Sequence, residues 1–395
     1  MHFITAKIIF PLNTAPIKDG ILVVNNDSTI QELIDPTLIE FPSSTELKKY
    51  DGILCPGFVN THCHLELSHL KGKLSHKKRL SNFISEIIGK RNAPEEEIVN
   101  AMQEADKSMA SDGIVAVGDI SNSDISLKVK QSSKVKYHTF IELFDVSEER
   151  TEIVFNQGQL LRNQFTKLDL KASIVPHAPY SVTKKLLNLI CSESKMQSDI
   201  LTIHNQETES EDEMFVNGSG SLLERLRQIN PGYNNWKATG KSSLLSVLQE
   251  IETDCFLQLV HNTFTSKVDI ESANNFLKNI YWCLCPNANL YIEDKIPDID
   301  VMRNENCKLT IGTDSLASND SLSILSEMKT IHSRFPKIPL NEILCWSSIN
   351  GARFLKMDKM FGSFEKGKTP GVNHITNINV ENLLLEHSSR VEKIF

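Results

Sequence analysis

The sequence predicts an α/β protein, a (β/α)8 TIM barrel with a small β-sandwich module built from both chain ends. Short apolar runs recur eight times from Ile53 onward, and the longer segments between them have helical periodicity. Strands that alternate with helices form a parallel sheet, and eight such units can close into a barrel. Histidines and an aspartate also follow several of the apolar runs, at the strand ends where such barrels carry their active sites.

The module is predicted over residues 1–54 and 360–395. In the amino-terminal part, apolar runs at residues 4–10 and 21–25 alternate with turn residues, as expected for short strands. In the carboxyl-terminal part, a turn with two glycines ends the last predicted helix, residues 341–355. The chain is then expected to return to the module and complete it.

The barrel is predicted over residues 55–359. Its eight strands are predicted at residues 53–60, 114–119, 136–143, 171–177, 200–204, 256–261, 280–285 and 309–314. Helices with one apolar stripe are predicted at residues 95–111, 183–192 and 321–335. The longest connection, residues 206–255, contains an acidic run and a segment rich in Gly and Ser. The length and composition of this connection predict a lid or substrate loop or, alternatively, an insertion that only packs on the surface.

Composition and charge argue against several classes of function. The chain has 395 residues, of which 40% are hydrophobic, enough to bury a large core. A net charge of −8 without a dominant Lys/Arg cluster argues against a nucleic-acid partner, and the lack of an apolar run of about 18 residues argues against a membrane span. The amino terminus lacks a signal-peptide pattern and the cysteines lack Cys-x-x-Cys spacing, so we expect a cytoplasmic protein. The expected partner is a small-molecule substrate, and the sequence leaves a homodimer open.

Six polar residues follow predicted strands and are expected to face one another at the barrel mouth. They are His62 and His64 after the first strand, His177 after the fourth, His204 after the fifth, His261 after the sixth and Asp314 after the eighth. Side chains two residues apart in an extended chain share a face, so the first two imidazoles can point to one place. One histidine at a strand end is commonly structural, but the whole set predicts a metal site.

We expect one divalent metal ion at this site, zinc in the first place and iron as the alternative. Its expected ligands are His62, His64, His204 and Asp314, which would leave a position for water. The end of the fourth predicted strand offers neither a lysine nor a glutamate that could bridge a second ion.

Two residues are expected to act beside the metal. Glu207 stands three residues after His204, where a carboxylate can take a proton from activated water and pass it to the leaving group. The alternative for Glu207 is an acid that only stabilises a helix start. His261 is expected to hydrogen-bond to the same water rather than to bind the ion. The other acids of the run, at residues 209–213, are expected to be solvated.

Six stretches of the chain together resemble the amidohydrolase superfamily, in its cytosine/adenosine deaminase and chlorohydrolase-like branch. They are residues 56–64 (PGFVNTHCH), 177–182 (HAPYSV), 204–207 (HNQE), 260–262 (VHN), 285–289 (CPNAN) and 312–319 (GTDSLASN). Within that branch the chain is most similar to aminodeoxyfutalosine deaminases, because residues 62–68 and 177–182 match their pattern best.

The resemblance implies a role for each site residue. It makes His62, His64, His204 and Asp314 the metal ligands, Glu207 the proton shuttle, His261 with Asp314 the groups that hold the nucleophile, and Glu66 and His177 contacts to the substrate. Three other residues have two interpretations each. Asn289 contacts substrate or holds its own turn, Glu142 lines the pocket or is a structural acid, and Trp236 stacks on a flat ring or packs within the long connection.

The predicted function is a mononuclear, metal-dependent hydrolytic deaminase of an amino-substituted heterocycle. The expected substrate is an adenine nucleoside such as aminodeoxyfutalosine, adenosylhomocysteine or methylthioadenosine. A hydrolase of amides, cyclic amides or chloro-substituted rings is the alternative among enzymes. Outside the enzymes, the alternative is a barrel without catalysis that serves as an interaction scaffold.

Overall fold

The computed structural model describes residues 1–38, 46–251 and 254–395. Small parts of the predicted amino-terminal module and of the long connection therefore lie outside the described residues. The strands are β1 (His2–Ile9), β2 (Ile17–Lys18), β3 (Ile21–Val24), β4 (Ile30–Ile34), β5 (Lys48–Pro56), β6 (Phe58–Cys63), β7 (Ile114–Ser121), β8 (Lys136–Leu143), β9 (Lys171–Pro176), β10 (Ile200–Asn205), β11 (Phe256–His261), β12 (Asn279–Leu284), β13 (Leu309–Ile311), β14 (Val372–Asn379) and β15 (Leu384–Lys393).

Helices separate the central strands, as the sequence predicts. They are α1 (Arg79–Lys90), α2 (Glu95–Ser111), α3 (Leu127–Ser132), α4 (Thr151–Thr166), α5 (Lys184–Gln197), α6 (Glu209–Asn217), α7 (Ser221–Ile229), α8 (Ser243–Leu248), α9 (Lys267–Phe276), α10 (Pro286–Glu293), α11 (Ile299–Asn304), α12 (Ile324–Arg334), α13 (Leu340–Ser347) and α14 (Ile349–Phe354). None of these helices is both long and apolar enough to cross a membrane.

The strands β6 to β13 form two four-stranded parallel sheets, in the orders β6-β7-β8-β9 and β10-β11-β12-β13. Every residue of β6, β7 and β10 is buried, as expected for parallel strands that are covered on both faces. This arrangement confirms the predicted α/β class with parallel strands.

Backbone hydrogen bonds also join the outer edges of the two sheets. The His204 N–H in β10 donates to the carbonyl oxygen of His177, just after β9, at 2.9 Å. At the other edge the N–H groups of Thr313 and Asp314 donate to the His62 carbonyl at 3.0 and 3.1 Å. Both contacts lie at the carboxyl ends of strands, so they bring the predicted site residues of the two sheets together.

The first predicted strand is divided in two at Gly57, which corrects the sequence prediction for residues 53–60. The part before Gly57 belongs to β5 in the module, and the part after it is β6 in the parallel sheet. A Cβ atom at Gly57 would lie 2.4 Å from the Val115 Cγ1 and 2.6 Å from the Pro370 carbonyl oxygen. Only glycine fits where the chain passes between these layers.

The strands from both chain ends are joined by hydrogen bonds into one sheet of seven strands, so both ends contribute to one β structure, as predicted. Its order is β15-β14-β5-β1-β3-β4, with β2 paired to β1. β5 pairs with β1 in parallel and with β14 antiparallel, so the amino-terminal and carboxyl-terminal segments meet on the two sides of one strand.

Helix predictions are confirmed in the middle of the chain and corrected near its end. α2 covers the predicted residues, and its Met102, Ala105 and Met109 are buried on one face. The single helix predicted at residues 341–355 is instead α13 followed by α14. Ser348 interrupts them with a backbone φ of −141°, and its hydroxyl donates to the Gly57 carbonyl at 2.7 Å.

A fully buried ion pair supports the end of β7. The Lys130 Nζ of α3 lies 2.6 Å from the Asp119 Oδ2, and neither side chain is exposed to solvent. The other Asp119 carboxylate oxygen accepts a hydrogen bond at 2.8 Å from the backbone N–H of Leu65, the residue that follows His64. The ion pair therefore fixes the backbone immediately after His62 and His64.

We predict that Lys130→Met will destabilise the fold by about 3–5 kcal/mol, because it leaves Asp119 buried without its partner. The free energy of unfolding in urea measures this change. Lys128→Met in the same helix is the matched control, because that side chain is exposed; it should change stability by less than about 0.5 kcal/mol. Equal stabilities of the two variants would contradict the prediction.

Candidate metal and active site

The ends of three strands bring three imidazoles and one carboxylate together. His62 lies in β6 with His64 just after it, His204 lies in β10, and Asp314 follows β13. His64 Nε2 is 3.2 Å from His62 Nε2, 3.3 Å from His204 Nε2 and 3.4 Å from Asp314 Oδ1. The four residues predicted as ligands therefore converge on one place.

These separations suit ligands around one small cation. With metal–ligand bonds of about 2.0–2.2 Å, ligand atoms in a tetrahedral site lie about 3.3–3.6 Å apart. The remaining measured pair, His62 Nε2 and Asp314 Oδ1, is 3.6 Å apart. Without a cation the lone pairs of the imidazoles would point at one another, so the residues fit a divalent metal ion.

The protonation of the imidazoles also suits a metal. His204 Nδ1 donates to the His177 carbonyl oxygen at 2.8 Å, so its Nε2 carries the lone pair. Burial lowers the pKa of His64 to about 3 and also lowers the pKa values of His62 and His204. All three are therefore neutral near pH 7, which is the form that binds metal ions.

Asp314 supplies the negative charge of the cluster. Burial alone would raise the pKa of its carboxyl, but the hydrogen bond with His62 and the neighbouring imidazoles of His64 and His261 hold that pKa well below its usual range. Its Oδ2 accepts a hydrogen bond from the Ser318 hydroxyl, which leaves Oδ1 facing the histidines.

The backbone at these strand ends adopts conformations that are uncommon for residues other than glycine. His261 has a φ of 73°, Asp314 of 54° and Gln206 of 44°, all in the left-handed region. Asn262, with a φ of 57°, continues the turn and donates its N–H to the Asn205 carbonyl at 3.0 Å. Such conformations persist where surrounding structure holds them, and they commonly mark functional sites.

Glu207 and His261 face each other beside the cluster. Glu207 Oε1 lies 3.8 Å from His261 Nε2, and the His261 Nδ1 lies 2.8 Å from the Asn289 Oδ1. Burial, together with the charges of Asp314 and Glu293, raises the pKa of Glu207 well above its usual range. Its carboxyl is therefore easier to protonate than that of a solvent-exposed glutamate.

Glu211 is a part of this site that the sequence prediction missed. It was expected to be solvated, but it is buried and accepts hydrogen bonds from the backbone N–H groups of Gln206 and Glu207 at 3.0 and 3.2 Å. Glu211 thus fixes the segment that carries Glu207. The spacing of four residues, with α6 starting at Glu209, is the sequence signal that could have indicated this contact.

A cavity of about 330 Å³ lies over the cluster. His177, Glu142 and Asn122 line it beside Glu207 and three of the four predicted ligands, which are His64, His204 and Asp314. The rest of its wall is mainly apolar and comes from α1, α7 and the loops near them; it includes Phe83, Ile84, Ile87, Phe144, Leu226 and Tyr233. Arg91, just after α1, is the single Lys or Arg side chain lining this cavity in the described parts of the chain.

Three residues singled out from the sequence lie away from the cavity wall. The Glu66 carboxylate accepts hydrogen bonds from the Asn122 N–H and the Ser123 hydroxyl at 3.2 and 3.1 Å. Asn289 is buried and hydrogen-bonds to the ring and the carbonyl oxygen of His261, a role that neither of its two interpretations included. Trp236 packs against Phe215 and donates to the Met214 carbonyl oxygen within the long connection.

Comparisons with known proteins agree with this arrangement. A sequence model of the Amidohydrolase family matches residues 53–375. An adenosine deaminase of Helicobacter pylori is 26% identical to the chain over 325 residues, which cover 80% of this chain and 77% of that protein.

Two crystal structures share the fold. Aminofutalosine deaminase of Helicobacter pylori in complex with methylthio-coformycin superposes with a TM-score of 0.81 at 23% identity, over 95% of this chain and 92% of that one. An adenosine deaminase of Xanthomonas campestris with bound zinc has a TM-score of 0.73 at 19% identity, over 98% of this chain and 87% of that one.

We predict that His204→Ala will abolish stoichiometric metal binding, because it removes one imidazole from the converging set. The measurement is the metal content of purified protein by elemental analysis, which is independent of activity. His387→Ala is the control, because that histidine is exposed and distant in the chain; it should retain the ion. Full metal content in His204→Ala would exclude this ligand assignment.

Proposed function

The chain belongs to the amidohydrolase family, and we propose that it is a mononuclear metal-dependent deaminase of adenine-containing nucleosides. The observation that carries the proposal is the convergence of three neutral imidazoles and the Asp314 carboxylate, with the protonatable Glu207 beside them. Zinc is the proposed ion, since imidazole and carboxylate ligands at this spacing suit it, and iron is the alternative.

The residues proposed to hold the ion are His62, His64, His204 and Asp314. A bound divalent ion lowers the pKa of water from about 16 toward 7 and so makes hydroxide available at neutral pH. The chain's part is to hold the four ligand atoms in place through the hydrogen bonds to His204 and Asp314 described above.

Proton transfer is assigned to Glu207. Its carboxylate takes a proton from the attacking water and donates it to the ring nitrogen next to the amino-bearing carbon. His261, held by Asn289, accepts a hydrogen bond from the same water through its Nε2 and so orients it. Glu207 then takes the remaining proton from the added oxygen and passes it to the amino group, which leaves as ammonia when its bond to the carbon breaks, and the carbon retains the oxygen as a carbonyl.

The shape and chemistry of the cavity support a nucleoside with an apolar substituent. Its outer wall is largely aliphatic and aromatic, and Arg91 adds one positive charge. Aminodeoxyfutalosine carries an aromatic carboxylate, which would match both features, whereas methylthioadenosine would use the apolar wall alone.

We also infer that the two parallel sheets form one closed (β/α)8 barrel. The hydrogen bonds from His204 to His177 and from Asp314 to His62 join both pairs of edges and support this inference. Closure would place all the proposed ligands at one mouth, as the family requires.

We predict that Glu207→Gln will keep its metal but lower kcat by at least about a hundredfold, the usual contribution of general acid–base catalysis. Ammonia release from a panel of adenosine, methylthioadenosine, adenosylhomocysteine and aminodeoxyfutalosine gives the rate. Glu209→Gln is the matched control in the same acidic run, because that side chain is exposed. Near-normal turnover by Glu207→Gln would exclude the shuttle, and no ammonia from any compound with wild-type protein would exclude the proposed function.

We predict that Arg91→Gln will lower kcat/KM for aminodeoxyfutalosine by about threefold to tenfold, as expected for a charge pair at an exposed residue. Methylthioadenosine has no carboxylate, so its kcat/KM should change by less than twofold, roughly the limit of detection. Lys90→Gln is the control, since Lys90 binds Glu86 and does not line the cavity. Equal losses on both substrates would contradict a carboxylate contact.

A further inference from the structure

Glu142, at the end of β8, has a buried carboxylate oxygen without a hydrogen-bond partner. The residue is 6% exposed and lines the cavity. Its Oε2 accepts a hydrogen bond from the Asn122 side chain at 3.2 Å, but its Oε1 accepts none. A buried acceptor without a donor is uncommon in folded proteins and needs an explanation.

No neighbouring side chain in the described structure supplies the missing donor. The His204 Nδ1 is 3.5 Å from the Glu142 Oε1, but its proton is already given to the His177 carbonyl oxygen at 2.8 Å. Glu142, His177 and His204 also lie close enough to suggest a second metal ion. The protonated Nδ1 of His204 cannot bind one, and its Nε2 faces the first cluster.

We propose that Glu142 is a specificity-determining residue whose Oε1 accepts a hydrogen bond from a sugar hydroxyl of the substrate. The inference rests on the proposed nucleoside deaminase function and names a contact within the same cavity. It assigns to Glu142 a direct substrate contact, which the family resemblance implies for Glu66 instead.

The position of Glu142 indicates which part of a nucleoside faces it. The reacting carbon must lie at the converging Nε2 atoms, and Glu142 lies on the opposite, Nδ1 side of the His204 ring. A group that reaches Glu142 is therefore remote from the amino-bearing carbon. On an adenine nucleoside, the hydrogen-bond donors remote from that carbon are the sugar hydroxyls.

The surroundings hold the carboxylate ready for such a contact. Asn122 donates through its side chain to the Glu142 Oε2 and carbonyl oxygen, both at 3.2 Å. Its own backbone N–H donates to Glu66 at 3.2 Å. Glu66 is thus a positioning residue that acts through Asn122, and Glu142 is the acid of this pair that lines the cavity.

The experiment compares adenosine with 2′-deoxyadenosine and 3′-deoxyadenosine in wild-type protein, Glu142→Ala and Glu142→Gln. Wild-type protein should prefer adenosine over at least one deoxy form by about tenfold to a hundredfold in kcat/KM, the usual range for a hydrogen bond to a charged group. In Glu142→Ala this preference should fall below about threefold. Glu142→Gln keeps an acceptor oxygen and should retain part of it. Glu148→Gln, exposed in the loop after β8, is the control and should keep the full preference.

Metal content and melting temperature of each variant show whether the site remains intact. An unchanged preference in Glu142→Ala, or no preference in wild-type protein, would overturn this inference while leaving the deaminase function standing. Loss of metal with equal losses on all three nucleosides would also overturn it, because Glu142 would then act through His204. If wild-type protein released no ammonia from any nucleoside, the proposed function and this inference would both fail.

Discussion

The structure depends on one electrostatic arrangement, in which three uncharged imidazoles and the Asp314 carboxylate lie close together at buried strand ends. The Nε2 atoms of these neutral imidazoles lie 3.2 and 3.3 Å apart, and their lone pairs repel one another unless a cation lies between them. Burial keeps the histidines neutral, and the Ser318 hydroxyl donates a hydrogen bond to the Asp314 carboxylate. The net charge of the protein side is thus one negative, which suits one divalent ion with a hydroxide better than two ions.

The segments that carry these groups are fixed by other buried acids. Asp119, paired with Lys130, binds the N–H of Leu65 directly after the first two histidines. Glu211 does the same for the segment with Glu207. In each case a carboxylate satisfies backbone donors where a strand has ended and no ladder is available. A site built on strand ends that are held in this way remains rigid, although the site itself has no regular secondary structure.

The sequence predicts the features that follow from local pattern, and it fails where two distant segments decide the outcome. Long amphipathic stretches such as α2 and the buried strands are local, and so is the placement of His62 and His64 on one strand. The division of the first strand at Gly57 depends on Val115 and Pro370, which no local pattern reveals. The same applies to Glu66 and Glu142, because both bind Asn122 and only Glu142 lines the cavity.

The arrangement separates the chemistry of this protein from its choice of substrate. The proposed metal ligands lie at strand ends, and buried acids hold the backbone beside them and at Glu207. The geometry of these groups is therefore constrained by the whole core. The apolar cavity wall comes from α1, α7 and nearby loops, whose side chains pack in two smaller hydrophobic clusters separate from the main core. Such walls can change without disturbing the ligands, which explains how one family scaffold can serve substrates with different substituents. Glu142 belongs to neither group, because it stands on a core strand yet faces the cavity. It can therefore recognise a feature that nucleosides share, the sugar hydroxyl, while the cavity wall selects among their substituents.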